Sequence, residues 1–198
     1  MNSHVWPRMG RKLAVGTMAL LLTMVAIASA DIRLPAVIGD NMVLQQGKEV
    51  AIWGWADPGE QVRLRLSWDG EEQRTDADGN GQWFFTIASP PAGGPYEMTL
   101  SGKNTVRIGN VASGEVWVCS GQSNMEWPLH SAANGSQEVA AADYPNIRLF
   151  TVQKKIADTP QDDCTGQWSP CSPETAPGFS AVGYFFGRHL HRELNVPI

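Results

Sequence analysis

Val62-Arg63-Leu64-Arg65-Leu66-Ser67-Trp68 alternates apolar and polar side chains. A period of two puts Val62, Leu64, Leu66 and Trp68 on one face of a strand and the polar residues on the other. One face is buried and the other wet. Working outward, the alternation recurs in Val50 and Ile52, in Trp83, Phe85 and Ile87, and in Tyr96, Met98 and Leu100. Between these runs stand Asp57-Pro58-Gly59, Asp69-Gly70, Asp78-Gly79-Asn80-Gly81 and the stretch from Pro90 to Pro95, all rich in turn-forming residues. Short strands with turn signals at this spacing predict a small antiparallel β-sandwich from Asp31 to about Asn110.

Two features inside this region invite a functional reading. Trp53, Trp55, Trp68 and Trp83 could stack on sugar rings, but Trp68 and Trp83 continue the inward alternation and read as core. Trp53 and Trp55 share a face opposite Ile52, and the alternation leaves open which of those faces is buried. Asp76-x-Asp78-x-Asn80-Gly81 has the opening of a calcium loop, yet its twelfth position is Ile87, where a bidentate Glu is required. It reads as a hairpin turn, and no metal is expected.

At Ser113-Gly114 the character changes. Glu115–Cys119 reads as a compact apolar strand ending in a Gly/Ser turn, and longer, irregular polar sequence follows. Ile147–Val152 reads as a further strand. Phe179–Leu194 reads as a helix whose Val182, Phe185, Phe186, Leu190 and Leu194 share one face. This order suggests the opening of an α/β domain with a parallel sheet. Residues 114–198 supply two strands and the start of a third at Val196–Ile198, whereas parallel sheets usually have about five or more. The domain is therefore expected to be incomplete.

Arg8, Arg11 and Lys12 precede an apolar run from Leu13 to Ile27, and Ala28-Ser29-Ala30 offers a small-residue cleavage site. Residues 1–30 thus read as a secretory signal peptide, because the run is shorter than the ~18 to 20 residues that span a bilayer. The expected organisation is 1–30 signal peptide, 31–112 β-sandwich and 113–198 incomplete α/β domain, in an exported protein. Cleavage removes those three basic residues and no acid, moving the formal charge from −5 to −8. An acidic protein without a Lys/Arg cluster makes a poor partner for nucleic acid or an anionic membrane. Of the three cysteines, Cys119 ends an apolar run and reads as a small buried residue. Cys164 and Cys171 flank a short loop-like segment, where a local disulfide and two free thiols are both compatible with an oxidising compartment.

The chemistry resides in Val116-Trp117-Val118-Cys119-Ser120-Gly121-Gln122-Ser123-Asn124-Met125-Glu126-Trp127-Pro128. A serine directly after a strand and a glycine turn sits at the carboxyl edge of a sheet, where α/β proteins place ligands. Its Oγ would be exposed, and its backbone N–H could face an oxyanion. The Gly-x-Ser-x-Gly elbow is not matched, since Met125 stands where the second glycine would be. The competing reading is a capped strand-to-helix turn. Gln122, Asn124 and Glu126 are candidate substrate-binding neighbours, although Asn124 could equally cap the following turn. Trp127 and Trp168 could wall a pocket or pack beneath it.

Val116 to Leu129, above all Gly121-Gln122-Ser123-Asn124-Met125, resembles the nucleophile block of the sialate O-acetylesterase family within the SGNH hydrolases. Arg33-Leu34-Pro35, Asn41-Met42-Val43-Leu44-Gln45 and Phe179-Ser180-Ala181-Val182-Gly183-Tyr184-Phe185-Phe186-Gly187-Arg188 resemble it too. The resemblance implies a β-sandwich ahead of a flavodoxin-like α/β hydrolase domain, and a cofactor-free enzyme that removes acetyl groups from sugar hydroxyls through an acetyl-enzyme. Ser123 would be the nucleophile. Its N–H would serve the oxyanion with a glycine and an asparagine of later blocks, and a histidine of an Asp-x-x-His block would activate it.

No Asp-x-x-His occurs in the sequence. His130, His189 and His191 read as solvated side chains, and His4 belongs to the signal segment. A serine without its base is a weak nucleophile, and losing that base costs about 10⁶ in turnover in one serine protease. The expectation is an N-terminal esterase fragment, inactive alone, whose partner is an O-acetylated sugar or glycan. The rival is a non-catalytic exported glycan-binding sandwich with a relic esterase segment. Nothing in the residues selects sialic acid over another acetylated sugar.

Overall fold

The computed structural model describes residues 31–198; the signal-peptide reading, residues 1–30, lies outside them. The chain is mostly sheet, with few helices. Seven strands come first: β1 (Val43–Gln45), β2 (Glu49–Trp55), β3 (Gln61–Leu66), β4 (Glu72–Asp76), β5 (Gln82–Ala88), β6 (Gly93–Ser101) and β7 (Thr105–Gly114). β1, β7, β6, β3 and β4 form a five-stranded sheet in that order, and β2 pairs with β5 in a separate antiparallel ladder. The ladders are antiparallel except one. β1 runs parallel to β7, with Val43 opposite Ala112, which departs from the wholly antiparallel expectation. Its cause is connectivity, since β1 enters beside the last strand rather than through a hairpin.

The alternation places the core as read. Val62, Leu64 and Leu66 of β3 meet Trp83, Phe85 and Ile87 of β5 and Met98 and Leu100 of β6 in one buried cluster. Each fully buried side chain of this size contributes roughly 1.5–3 kcal/mol by its removal from water. Ile52 is the buried side of β2, so Trp53 and Trp55 stand on the other face, half-buried, and the Arg33 guanidinium lies 4.0 Å over the Trp55 ring. Gly54 is opposite Trp83, and a Cβ there would run into the indole and the Arg33 carbonyl. Asp78 closes the turn between β4 and β5, which lie in different sheets and so form no hairpin, by accepting from the Asn80 and Gln82 amides at 2.8 and 2.9 Å. Its carboxylate thus does the work of a turn.

Beyond β7 the chain forms α1 (Ser123–Glu126), a 3₁₀ turn at Leu129–Ser131, α2 (Gly135–Ala140), β8 (Tyr144–Phe150), β9 (Trp168–Cys171) and α3 (Ala181–Leu194). β8 and β9 pair antiparallel. Leu129, Ile147, Leu149 and Tyr184 centre a second, smaller core.

Three expectations fail here. Glu115–Cys119 is not a strand: among the described residues no strand pairs with it, and Val118 is 90% exposed. A β segment holds its conformation by pairing, and without a neighbour the apolar run stays open. Cys119 is exposed for the same reason rather than buried. On α3 the buried residues are Ala181, Gly183, Tyr184 and Gly187, whereas Val182, Phe186 and Leu194 face outward. A Cβ at Gly183 would crowd the Phe179 ring, Gly187 faces Ile147 and Ile198, and Tyr184 between them is buried in the second core, which fixes the face.

Val196–Ile198 lies beside β8. The Ile198 amide donates to Asn146 at 3.0 Å and its carbonyl accepts from Arg148 at 2.7 Å, while the Glu115 amide reaches Pro197 at 2.9 Å. The bonding of Ile198 to residues 146 and 148 is a parallel pattern. Gly114 permits this approach, because a Cβ there would overlap the Pro197 carbonyl. No helix among the described residues is long and apolar enough to cross a membrane.

Candidate active site

Glu115 anchors the approach to the site. Its carboxylate accepts from Gln45 Nε2 at 3.1 Å and Gln46 Nε2 at 2.9 Å, and the Val116 amide donates to Gln45 Oε1 at 2.9 Å. The two amide donors hold the Glu115 carboxyl below its usual range. From there the chain runs past α3, where Trp117 meets Phe186 edge-on at 5.1 Å. It then turns at Gly121 into α1.

Ser123 is the first residue of α1. It is exposed, and neither its Oγ nor its backbone N–H has a partner among the described residues. The first amides of any helical turn lack intrahelical acceptors, and here those of Ser123 and Asn124 are open while Met125 donates back to Gln122 at 2.9 Å. The turn is held against the start of α3. Met125 Sδ lies 3.4 Å from Ser180 Oγ, Ala181 donates to the Trp127 carbonyl at 2.8 Å, and Leu129 donates to the Phe179 carbonyl at 2.9 Å. Ser180 also caps α3, accepting from the Gly183 amide at 3.2 Å.

Gln122 and Asn124 flank Ser123, exposed, with no side-chain cap on α1. Asn124 acts instead through its carbonyl, which accepts from Trp127. Glu126 pairs with Lys154 at 2.6 Å, an exposed pair worth at most about 1 kcal/mol. Trp127 donates through Nε1 to the Ser131 carbonyl at 2.9 Å. Trp168 reaches away, donating to the Val37 carbonyl at 2.9 Å and packing on Phe150. Lys154 carried no sequence reading, and Ser180 none as a helix cap. Ser180 was within reach of one, since a serine just before an apolar run is an N-cap signal.

No histidine hydrogen-bonds Ser123 among the described residues. His130 Nδ1 lies 2.9 Å from the Pro177 carbonyl and His191 Nδ1 2.7 Å from that of Val196. A carbonyl only accepts, so in both rings Nδ1 carries the proton. His189 is exposed and His191 half-buried, the latter a partial departure from a solvated reading. All three cysteines are free thiols. Burial pushes the Cys171 thiol up to about 11, and burial with the nearby Asp163 charge raises that of Cys164.

No family model matches the chain. The human sialate O-acetylesterase is 34% identical over 191 residues, covering 86% of this chain and 36% of its own length. The rat protein of that name is 34% identical over 206 residues, covering 93% and 38%. A carbohydrate acetylesterase from Xanthomonas citri, solved by crystallography, superposes with a TM-score of 0.81 at 38% identity, over 85% of this chain and 39% of that one. Over most of its length the chain is similar to sialate O-acetylesterases. It spans a little over a third of the length of the relatives it matches. Ser123 and its turn therefore stand within a chain whose acetylesterase relatives match most of its length.

Proposed function

We propose that this chain is the nucleophile-bearing part of a carbohydrate O-acetylesterase. Residues 31–112 form its β-sandwich and 113–198 the opening of its SGNH-type, flavodoxin-like α/β domain. The carrying observation is Ser123 at the start of α1, its Oγ exposed and its own N–H and that of Asn124 unpartnered. Ser123 Oγ attacks the acetyl carbonyl carbon and gives its proton to a base as the new C–O bond forms. The displaced sugar oxygen takes that proton and leaves as an alcohol. Water then hydrolyses the acetyl-serine, releasing acetate and restoring Ser123. Open amides beside the nucleophile stabilise the oxyanion of each tetrahedral intermediate, and one such donor is worth ~3–4 kcal/mol.

The base in this scheme is a histidine that His130, His189 and His191 do not supply, since none of the three hydrogen-bonds Ser123 among the described residues. Residues 1–30 direct export, and the ligand is an O-acetylated glycan. Nucleic acid and membrane are not partners of the acidic chain in this scheme. The test joins this chain to the C-terminal portion of the Xanthomonas citri acetylesterase and measures acetate release from acetylated xylan and O-acetylated sialic acid. The chimera is expected to release acetate in a Ser123-dependent way, and the chain alone to release almost none. Release that survives Ser123→Ala overturns the nucleophile assignment; strong Ser123-dependent release by the chain alone overturns the missing base.

A further inference from the structure

The larger of two cavities described in this chain, about 540 Å³, is an open trough between the β8–β9 hairpin and the segment entering α3. Its size is within the roughly 300–1,000 Å³ typical of small-molecule sites. Thr151, Gln153, Thr165, Gln167, Ser169 and Thr175 supply its polar groups, while Leu149 and Phe179 supply apolar surface. No lining side chain is ionisable. Hydroxyls and primary amides both donate and accept, as sugar hydroxyls do, and an aromatic ring suits the apolar face of a pyranose.

Two lining residues are chain neighbours of residues that touch the Ser123 turn. Gln153 is followed by Lys154, which is ion-paired to Glu126 of α1. Phe179 is followed by Ser180, whose Oγ touches Met125 of α1 at 3.4 Å. Lys154 and Lys155 lie outside the lining, and Lys154 already has its carboxylate. We propose that the trough is a glycan subsite that takes a neutral O-acetylated sugar and discriminates against an acidic sugar such as sialate, whose carboxylate would meet no cation there. The placement beside Ser123 rests on the esterase reading; the binding itself does not.

Gln153 and Gln167 are exposed, and their side chains make no hydrogen bond among the described residues. Their replacement therefore removes ligand contacts without removing structural ones. Thr175 is unsuitable, since its hydroxyl already donates to the Pro170 carbonyl at 2.6 Å. The experiment is an amide NMR titration of the Ser123→Ala chain with acetylated xylotriose and, separately, O-acetylated sialic acid. Acetylated xylotriose is expected to shift the trough amides saturably, and Gln153→Ala with Gln167→Ala to weaken it about tenfold, as two lost hydrogen bonds imply. O-acetylated sialic acid is expected to bind at least about tenfold more weakly than the neutral sugar.

The proposal is overturned by saturable shifts elsewhere, by no saturable shift, by an unchanged affinity in the double variant, or by equal or tighter sialate binding. No turnover is measured. A failed esterase assignment therefore leaves this result standing, and failed binding leaves acetate release by the chimera intact.

Discussion

Arg148 shows how much one side chain can fix. From β8 its guanidinium donates to the Pro145 carbonyl at 2.8 Å, the Asn41 carbonyl at 3.3 Å, the Asn110 carbonyl at 3.2 Å and the Asn110 Oδ1 at 3.1 Å. Asn41 and Asn110 both adopt positive φ, at 67° and 54°, and are tied by a 2.8 Å side-chain bond. Asn tolerates that region better than other non-glycine residues. Burial lowers the Arg148 pKa, yet a guanidinium stays charged. Arg148→Ala is expected to cost about 1–2 kcal/mol, because it removes several charge-assisted donors, although water can reach the exposed and half-buried acceptors left behind. Arg148→Lys should recover less than half, since an ammonium cannot reproduce the planar fork. Urea denaturation checks both; a loss below about 0.5 kcal/mol, the size of an ordinary surface substitution, would show that this junction carries little of the stability. None of this was legible beforehand. Arg148 looks like any surface arginine, and its acceptors lie 38 and 107 positions away. The exposed turn at Ser123 was legible because its neighbours in sequence, Gly121 through Met125, are also its neighbours in space.

Among the elements, the strands were the more readable. A period of two admits only two faces, and one strongly apolar member such as Leu64 decides between them. On α3 the existence of the helix follows from the apolar run, but its buried face does not. Tyr184 is fully buried, whereas Val182 is 48% exposed. Helical periodicity offered an apolar stripe, and packing preferred the small residues Ala181, Gly183 and Gly187, which allow close approach. Tyr184→Ala should therefore destabilise by about 3–5 kcal/mol, as large aromatic truncations in a core do. Val182→Ser should stay within about 0.5 kcal/mol. Thermal or urea unfolding of the two variants side by side tests the assignment, and comparable losses would restore the face expected from periodicity.

At the scale of the molecule, the sequence showed a β unit but not the way the second segment attaches to it. The attachment uses a few polar residues that alternation ignores: Glu115 with Gln45 and Gln46, Arg148 with Asn41 and Asn110, and Asp163 with the Ala36 amide and Arg33. Glu115 makes this joint sensitive to acid. Its carboxyl sits below 4.5 in the folded chain because the two glutamine amides favour the charged form. A depressed carboxylate pKa contributes stability that is fully present above the unfolded value and lost as pH falls through the folded one. The unfolded reference is 4.5, so the loss begins there and proceeds downward. Glu115→Gln should accordingly melt below the wild type at neutral pH. Because protonated glutamic acid is also neutral, the gap in melting temperature should close as pH drops below 4.5. Calorimetry of both chains across that interval tests it. A gap that stays constant with pH would mean that the substitution acts through shape, and that the charge of Glu115 does not hold the two parts together.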